Sequence, residues 1–449
     1  MKLKQYSKYK SSGSDFFENI PVEWNISKLK FLISSLESGK RENIDLLTDD
    51  DNTVFSLGGE HINWNGTLNL KNKRFVSENY YNSMNNGKIA ENDILLVKDG
   101  ATIGKTAFVK NKPYSKMAVN EHVFIIRSNN KIESKLLYYL ISSDIGFTQI
   151  KLTETGSAQG GINSEFISQV NFPLNYDKEE QTKISNFLDK KIEDMDSLIA
   201  KNKKLIQLLE EKRTSLINHV VTKGLDSNVK MKNSGIEWIG QIPEDWEVKR
   251  IKEIADVKIS NVDKKSKENE SEVLLCNYVD VYYNEFISSE LNFMKATASN
   301  EQIKKLSLEK GDIILTKDSE SPDDIAVPSL VDEKIDNLVC GYHLAVIRPN
   351  LSQINPYFLF KSFESRKIND QFFVAASGVT RFGISTYPIK NSFVLIPSIE
   401  EQKEISNYIM KNMATINKLI INIRNQETLL NEYKSSLIYH LVTGKISVR

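Results

Sequence analysis

Two short segments and two matched pairs of histidines carry residue types that could do chemistry. DGATIGKT, residues 99–106, has the glycines, lysine and threonine of a phosphate-binding loop. That loop needs four residues between its glycines, and Gly100 and Gly104 enclose three. The cradle of backbone N–H groups depends on loop length, so nucleotide binding is rejected. NPYF, residues 355–358, approaches the Asn-Pro-Pro-Tyr/Phe pattern of adenine methyltransferases. Its third residue is Tyr, and no glycine-rich cofactor turn precedes it. Asn355 and Pro356 are better explained as an N-cap and a first helical position. Histidines recur in matched places, His122 with His343 and His219 with His440, yet none joins a Cys/Asp cluster with metal spacing. No nucleophile elbow is present. The sequence contains no credible active site.

Nearly the whole chain is instead written twice, at an offset of about 220 residues. IPVEWNISKLKFLI (20–33) returns as IPEDWEVKRIKEIA (242–255), and ENDILLVKD (91–99) as KGDIILTKD (310–318). HVFIIRSN (122–129) returns as HLAVIRPN (343–350), EEQTKISNFL (179–188) as EEQKEISNYI (400–409), and SLINHVVT (215–222) as SLIYHLVT (436–443). The halves match poorly across 39–81 and 260–304. One scaffold reading two different targets would diverge in this way.

The elements that must position these segments follow from periodicity. Residues 179–222 read as one long helix whose apolar residues Ile184, Leu188, Met195, Leu198, Leu205, Leu209 and Leu216 alternate four and three apart, with Lys191, Asn202 and Lys212 in the gaps. That 3.5-residue period is a coiled-coil seam. Ile405, Ile409, Ile416, Leu419, Ile423, Leu430, Tyr433 and Leu437 repeat it, with polar Asn412 and Gln426. Each helix would span about 60–65 Å at ~1.5 Å per residue. Residues 20–176 and 242–397 read as globular mixed α/β: runs such as DILLV, VFIIR, DIILT and LAVIR are strand-like, and a helix follows each second strand, capped by Ser134 or Asn355. The expected organisation is an N-terminal segment (1–19), a first globular domain (20–176), a spacer helix (177–222), a polar linker (223–241), a second globular domain (242–397) and a C-terminal spacer helix with its tail (398–449). The fold class is α+β with an internal pseudo-two-fold duplication.

Composition adds limits. Lys+Arg and Asp+Glu are equal at 59 each, so net charge offers no sign of a nucleic-acid partner, and any positive patch must be local. Cys276 and Cys340 lack metal-ligand spacing and suit a reducing cytoplasm. No signal-peptide stretch and no window near the ~18 apolar residues of a membrane helix appears, so a cytoplasmic location is expected.

Taken in order, several segments resemble the specificity subunits of type I restriction-modification enzymes. They are NSGIEWIGQIPEDWEVKRIKEI (233–254), both Glu-Glu-Gln-x-x-Ile helix openings, ENDILLVKDGATIGK, LLCNYVDVYYNEFI, and the closings LINHVVTKG and LIYHLVTGK. The resemblance spans nearly the whole chain. It departs at 11–19, where SSGSDFFEN replaces the usual SGxEWxGx. It implies a non-catalytic subunit with two target recognition domains, each reading one half of a split, asymmetric double-stranded DNA site. It implies that the long helices pack antiparallel as a spacer. It further implies assembly with two modification subunits, which methylate adenine using S-adenosylmethionine, and with restriction subunits that use ATP and Mg, no cofactor being bound by this chain. The rival readings are a self-contained DNA methyltransferase or nuclease, and a coiled-coil scaffold that binds only proteins.

Reading base edges needs donors and acceptors on loops, with cations for phosphates. The expected DNA contacts are Lys98, Thr102, Lys105, Thr106, Ser157 and Gln159 in the first domain, and Lys317, Ser319, Thr380 and Arg381 in the second. Arg381 is the foremost base reader; Lys98 and Lys317 recur in both halves and suit phosphate positioning. Glu180, Gln181, Glu401 and Gln402 are expected on outward helix faces that dock the modification subunits.

Overall fold

The computed structural model describes residues 3–40, 53–156 and 160–448. The chain divides into two compact units, Met1–Asn202 with Asn425–Arg449, and Lys203–Arg424. Both are α+β.

In the first unit a four-stranded antiparallel sheet runs in the order Ile33–Ser38, Val123–Ser128, Ile94–Val97, Thr106–Phe108. A three-stranded sheet, Met117–Val119, Thr53–Leu57, Phe75–Ser77, contains a parallel pair. The second unit repeats this plan. Ala255–Ile259, Leu344–Pro349 and Ile313–Thr316 continue into Pro328–Val331 and Phe286–Ile287, and Ser271–Cys276 pairs in parallel with Leu338–Cys340. The central strands, ILLV and IILT, are buried at every position, as their unbroken apolar runs require. Each sheet is pinned by an arginine fork. Arg127 clasps Asp93 at 2.7 and 3.0 Å and also pairs with Glu37, while Arg348 clasps Asp312 at 2.8 and 2.7 Å. The bidentate geometry holds both guanidinium groups in their charged form.

Helix Pro356–Glu364 begins as the sequence indicates: Asn355 accepts a hydrogen bond from the Phe358 N–H at 3.0 Å, with Pro at the first position. In the first unit the cap is Glu133, which accepts from the Leu136 N–H at 2.7 Å, and Ser134 is already helical.

The two long helices are Lys178–Lys223 and Ile399–Val442. In the first unit Ile184, Leu188 and Met195, from the start of one, share a core with Leu437 and Leu441, from the end of the other. In the second unit Ile217 and Val220 share a core with Ile405, Ile409 and Met413. Start packs on end in both, so the helices are antiparallel, as expected. The seam differs by one residue at every second position. Leu198 and Leu205 are exposed, and the inward residues are Ile192, Met195, Ile199, Asn202, Ile206 and Leu209. Likewise Leu419 and Tyr433 face out, and Met413, Ile416, Ile420 and Ile423 face in. Adjacent apolar pairs such as Leu198/Ile199, Leu205/Ile206 and Leu419/Ile420 satisfy either phasing. Packing chooses the one continuous with Ile184 and Leu188, which the globular domain buries. Of the polar residues read into the seams, Asn202 is buried there, whereas Lys191 and Gln426 are exposed.

The segment read as a linker is partly folded. Met231–Asn233 pairs with Gln241–Pro243, placing Ile242 in the core. Tyr9–Ser14 and Phe17–Pro21 form the same hairpin in the same register: Tyr9 opposite Pro21, as Met231 is opposite Pro243. The sequence departure at 11–19 therefore leaves the hairpin intact. Leu3–Lys4 also pairs antiparallel with Ser447–Val448.

Candidate nucleic-acid interface

The loop after the central strand begins with the same lysine–aspartate pair in both units, and three segments converge on it. The Lys98 N–H donates to the His122 carbonyl at 3.0 Å, and the Ile162 N–H donates to the Lys98 carbonyl at 2.8 Å. In the second unit the Lys317 N–H donates to His343 at 2.9 Å, and the Ile384 N–H to Lys317 at 2.8 Å. Segments read as separate DNA candidates, KDGATIGKT and TGSAQGGIN in one half, and Lys317–Ser319 and SGVTRFGIS in the other, are thus braided together by backbone bonds at Ile162 and Ile384. A glycine stands where they cross, and a side chain there would press on the aspartate. A Cβ at Gly161 would stand 3.0 Å from Asp99 Oδ1, and one at Gly383 3.0 Å from Asp318 Oδ1.

Side chains complete a triad at this crossing. Asp99 Oδ2 lies 3.3 Å from Lys98 Nζ and 3.2 Å from His122 Nδ1. Asp318 Oδ2 lies 2.9 Å from Lys317 Nζ and 2.6 Å from His343 Nδ1. Burial raises the Asp318 pKa, but the bonds from Lys317 and His343 outweigh it and hold the carboxyl below its ordinary value. Lys317 is therefore not a free point charge. Asp99, Asp318, His122 and His343 were absent from the expected contacts. The signal was present: each Asp follows its Lys directly, and the histidines occur at matched positions.

The expected contacts fare unevenly. Thr380 and Arg381 are exposed, and Thr102 and Lys105 are half-buried. Arg381 Nη2 lies 3.4 Å from His343 Nδ1. That nitrogen faces Asp318 and donates to it, so the Arg381 contact brings two donors together and leaves the guanidinium fork available to a ligand. Thr106 is buried and donates to the Gly104 carbonyl at 3.0 Å, a turn bond that removes it from any base. Ser319 is also buried, accepting from the Ser321 N–H at 3.3 Å. Both were expected at the surface because sequence shows a polar residue in a loop and not which way it turns. Ser157 and Gln159 lie outside the described residues. Among the described residues no group of His, Cys, Asp and Glu could hold a metal ion.

The Glu-Glu-Gln openings do not present the outward face expected of them. Gln181 and Gln402 are fully buried. Gln402 Oε1 accepts from the Asn355 N–H at 2.7 Å, and its Nε2 donates to the Gln353 and Pro397 carbonyls at 3.1 and 3.0 Å. Gln181 does the same with Glu133, Lys131 and Asn175. Glu180 takes hydrogen bonds from Tyr6 and Asn175, and Glu401 accepts from the Trp246 indole at 3.0 Å. The motif locks each long helix onto the domain that precedes it. Gln402→Ala should destabilise the second unit by about 1–3 kcal/mol, since buried backbone groups lose their partner. An unchanged urea midpoint would show that water or a rearranged loop replaces the lock.

Comparison with known proteins decides the family. The model described as the type I restriction modification DNA specificity domain matches residues 21–210 and again 243–426. The chain belongs to that family. Both matches fall on the duplicated halves, and membership makes the chain a specificity subunit, a DNA recognition component and not a catalyst. It is 25% identical over 371 residues to the type I restriction enzyme MjaVIII specificity subunit of Methanocaldococcus jannaschii, covering 80% of each chain. The putative MjaX specificity subunit of the same organism is 23% identical, with 100% of this chain and 99% of that one covered. Two solved structures share the fold. A chain from a study of complex assembly and conformational transition of the type I R-M system has a TM-score of 0.73 at 13% identity, covering 95% of this chain and 99% of that one. The HsdS subunit from Thermoanaerobacter tengcongensis has a TM-score of 0.57 at 14% identity, with 95% and 98% covered. No described helix is long and apolar enough to cross a membrane.

Proposed function

We propose that this specificity subunit reads a bipartite, asymmetric double-stranded DNA site, one half-site per recognition domain, and directs partner subunits to it. The observation that carries the reading is the braided loop pair, built identically in both units around a Lys–Asp–His triad. The residues around it differ: DGATIGKT in one half, DSESPDD in the other. A shared backbone grip with unshared side chains suits two readers of unlike sequences. The partners would be two modification subunits, one per repeat, and restriction subunits, in the cytoplasm. S-adenosylmethionine, ATP and Mg would be used by those partners.

Two substitutions separate grip from readout. Arg381→Ala should weaken cognate binding by about 1–3 kcal/mol and relax one position of the second half-site, because a guanidinium fork can bond a guanine edge bidentately. Lys98→Ala should weaken binding to all sequences alike and flatten the salt dependence. The methylome of cells carrying each variant with its partner subunits is the measurement. An unchanged motif at unchanged occupancy removes Arg381 from the readout, and a methylome without a two-part motif in wild type overturns the reading.

A further inference from the structure

Two aromatic side chains stand at equivalent places beside the braided loops, in the regions where the halves diverge. In the first unit Leu57 pairs in parallel with Val119, a helical turn (Gly59–His61) follows, and Trp64 comes seven residues after Leu57. In the second, Cys276 pairs in parallel with Cys340, a helical turn (Tyr278–Tyr282) follows, and Tyr283 comes seven residues after Cys276. Both turns pack on the loop that continues from the triad. Lys105 Nζ lies 5.7 Å from the Trp64 ring centre, and Phe147 meets the same ring edge-on at 5.8 Å. The Tyr282 hydroxyl donates to Asp324 at 2.6 Å, Tyr278 stacks on Tyr282 at 5.5 Å, and Tyr283 meets Tyr282 edge-on at 4.9 Å.

Their exposure is the anomaly. Trp64 is 62% exposed and Tyr283 76%, although the half-buried rings of Phe147 and Tyr282 meet them edge-on. A single exposed aromatic needs no explanation. Two at one structural position, each beside the loop that opens with the lysine–aspartate pair shared by both halves, do. Apolar ring surface next to cations is what a base requires beside its phosphates: a thymine methyl or an unstacked base face offers no hydrogen bond and is read by contact.

We propose that Trp64 and Tyr283 are specificity-determining residues that lay their rings against a base of the first and second half-site respectively. This rests on the two-half-site reading above. The experiment uses the chain assembled with its modification subunits, on duplexes randomised across both half-sites. Trp64→Ala should lower cognate binding about 5- to 100-fold and change the preference at positions in the first half-site only. Tyr283→Ala should do the same in the second half-site only. Trp64→Phe and Tyr283→Phe should retain the preference, because they keep a ring. Unchanged preference in both alanine variants, or failure of either to assemble before DNA is added, overturns this inference while leaving wild-type recognition of two half-sites intact. A wild-type complex without preference at two separate half-sites overturns the underlying reading instead.

Discussion

Lys361→Met is expected to destabilise the second unit by about 3–5 kcal/mol, the cost of removing the cation from a buried ion cluster and leaving its anions behind. Lys361 has no exposed side-chain surface. Its ammonium meets Glu364 at 2.6 Å and also Glu285, which Arg213 of the central helix reaches at 2.9 Å. The rings of Phe360 and Tyr357 flank it, with centres 4.4 and 5.5 Å away. Methionine fills the space and keeps those contacts, so the loss measures charge and not a cavity. The pH dependence follows from Glu364. Burial raises its pKa above the ordinary value, against the opposing pull of Lys361. A carboxyl raised in the folded state destabilises the fold as pH climbs through that pKa. Without Lys361 the rise is larger, so the gap between wild type and variant should widen as pH increases through the carboxylate range and narrow in acid. Urea unfolding with hydrogen exchange read over Pro356–Glu364 gives both quantities, and a gap that is flat with pH would mean that water has entered and solvated the carboxylates.

Leu205→Pro should break the central helix at a cost of about 3 kcal/mol or more, through a lost hydrogen bond and a clash with the preceding turn. Leu205 is 44% exposed and outside the seam, so its side chain contributes little. Leu205→Ala should be close to neutral and serves as the control. If the helix is a spacer that sets where half-sites can be read, the proline variant loses site-specific methylation while each unit keeps its own core. Full retention of site-specific methylation would remove that role from the helix.

What was legible in the sequence had a physical reason to be. The duplication appears as aligned letters, and the long helices appear because a 3.5-residue period without Gly or Pro is hard to produce otherwise. The seam was legible to within one residue and no further, since Leu205 and Ile206 are equally apolar and only the packing of Ile184 and Leu188 ranks them. The loops of the candidate site were found, but not their union. Lys98 lies far in sequence from Ile162, and so does Lys317 from Ile384, and a backbone hydrogen bond between them leaves no mark on residue type. Orientation was the least legible property. Thr106 turns inward to Gly104, and Gln181 and Gln402 vanish into the domains, because a polar residue can satisfy itself on buried carbonyls as well as on a partner. Trp64 and Tyr283 were passed over for the opposite reason: an aromatic residue is presumed buried until a structure exposes it.

The short pairing of Leu3–Lys4 with Ser447–Val448 makes the polypeptide almost a ring. After Lys223 a covalent segment leads from the first long helix into the hairpin at Met231. At the end of the second long helix the same step, into the hairpin at Tyr9, is made by hydrogen bonds. A ring has no first residue. A gene opened between Lys223 and Met231, with Val448 joined to Leu3, would encode the same neighbours in a rotated order. Which recognition domain is translated first then carries no spatial information, because the same pairings form in either order.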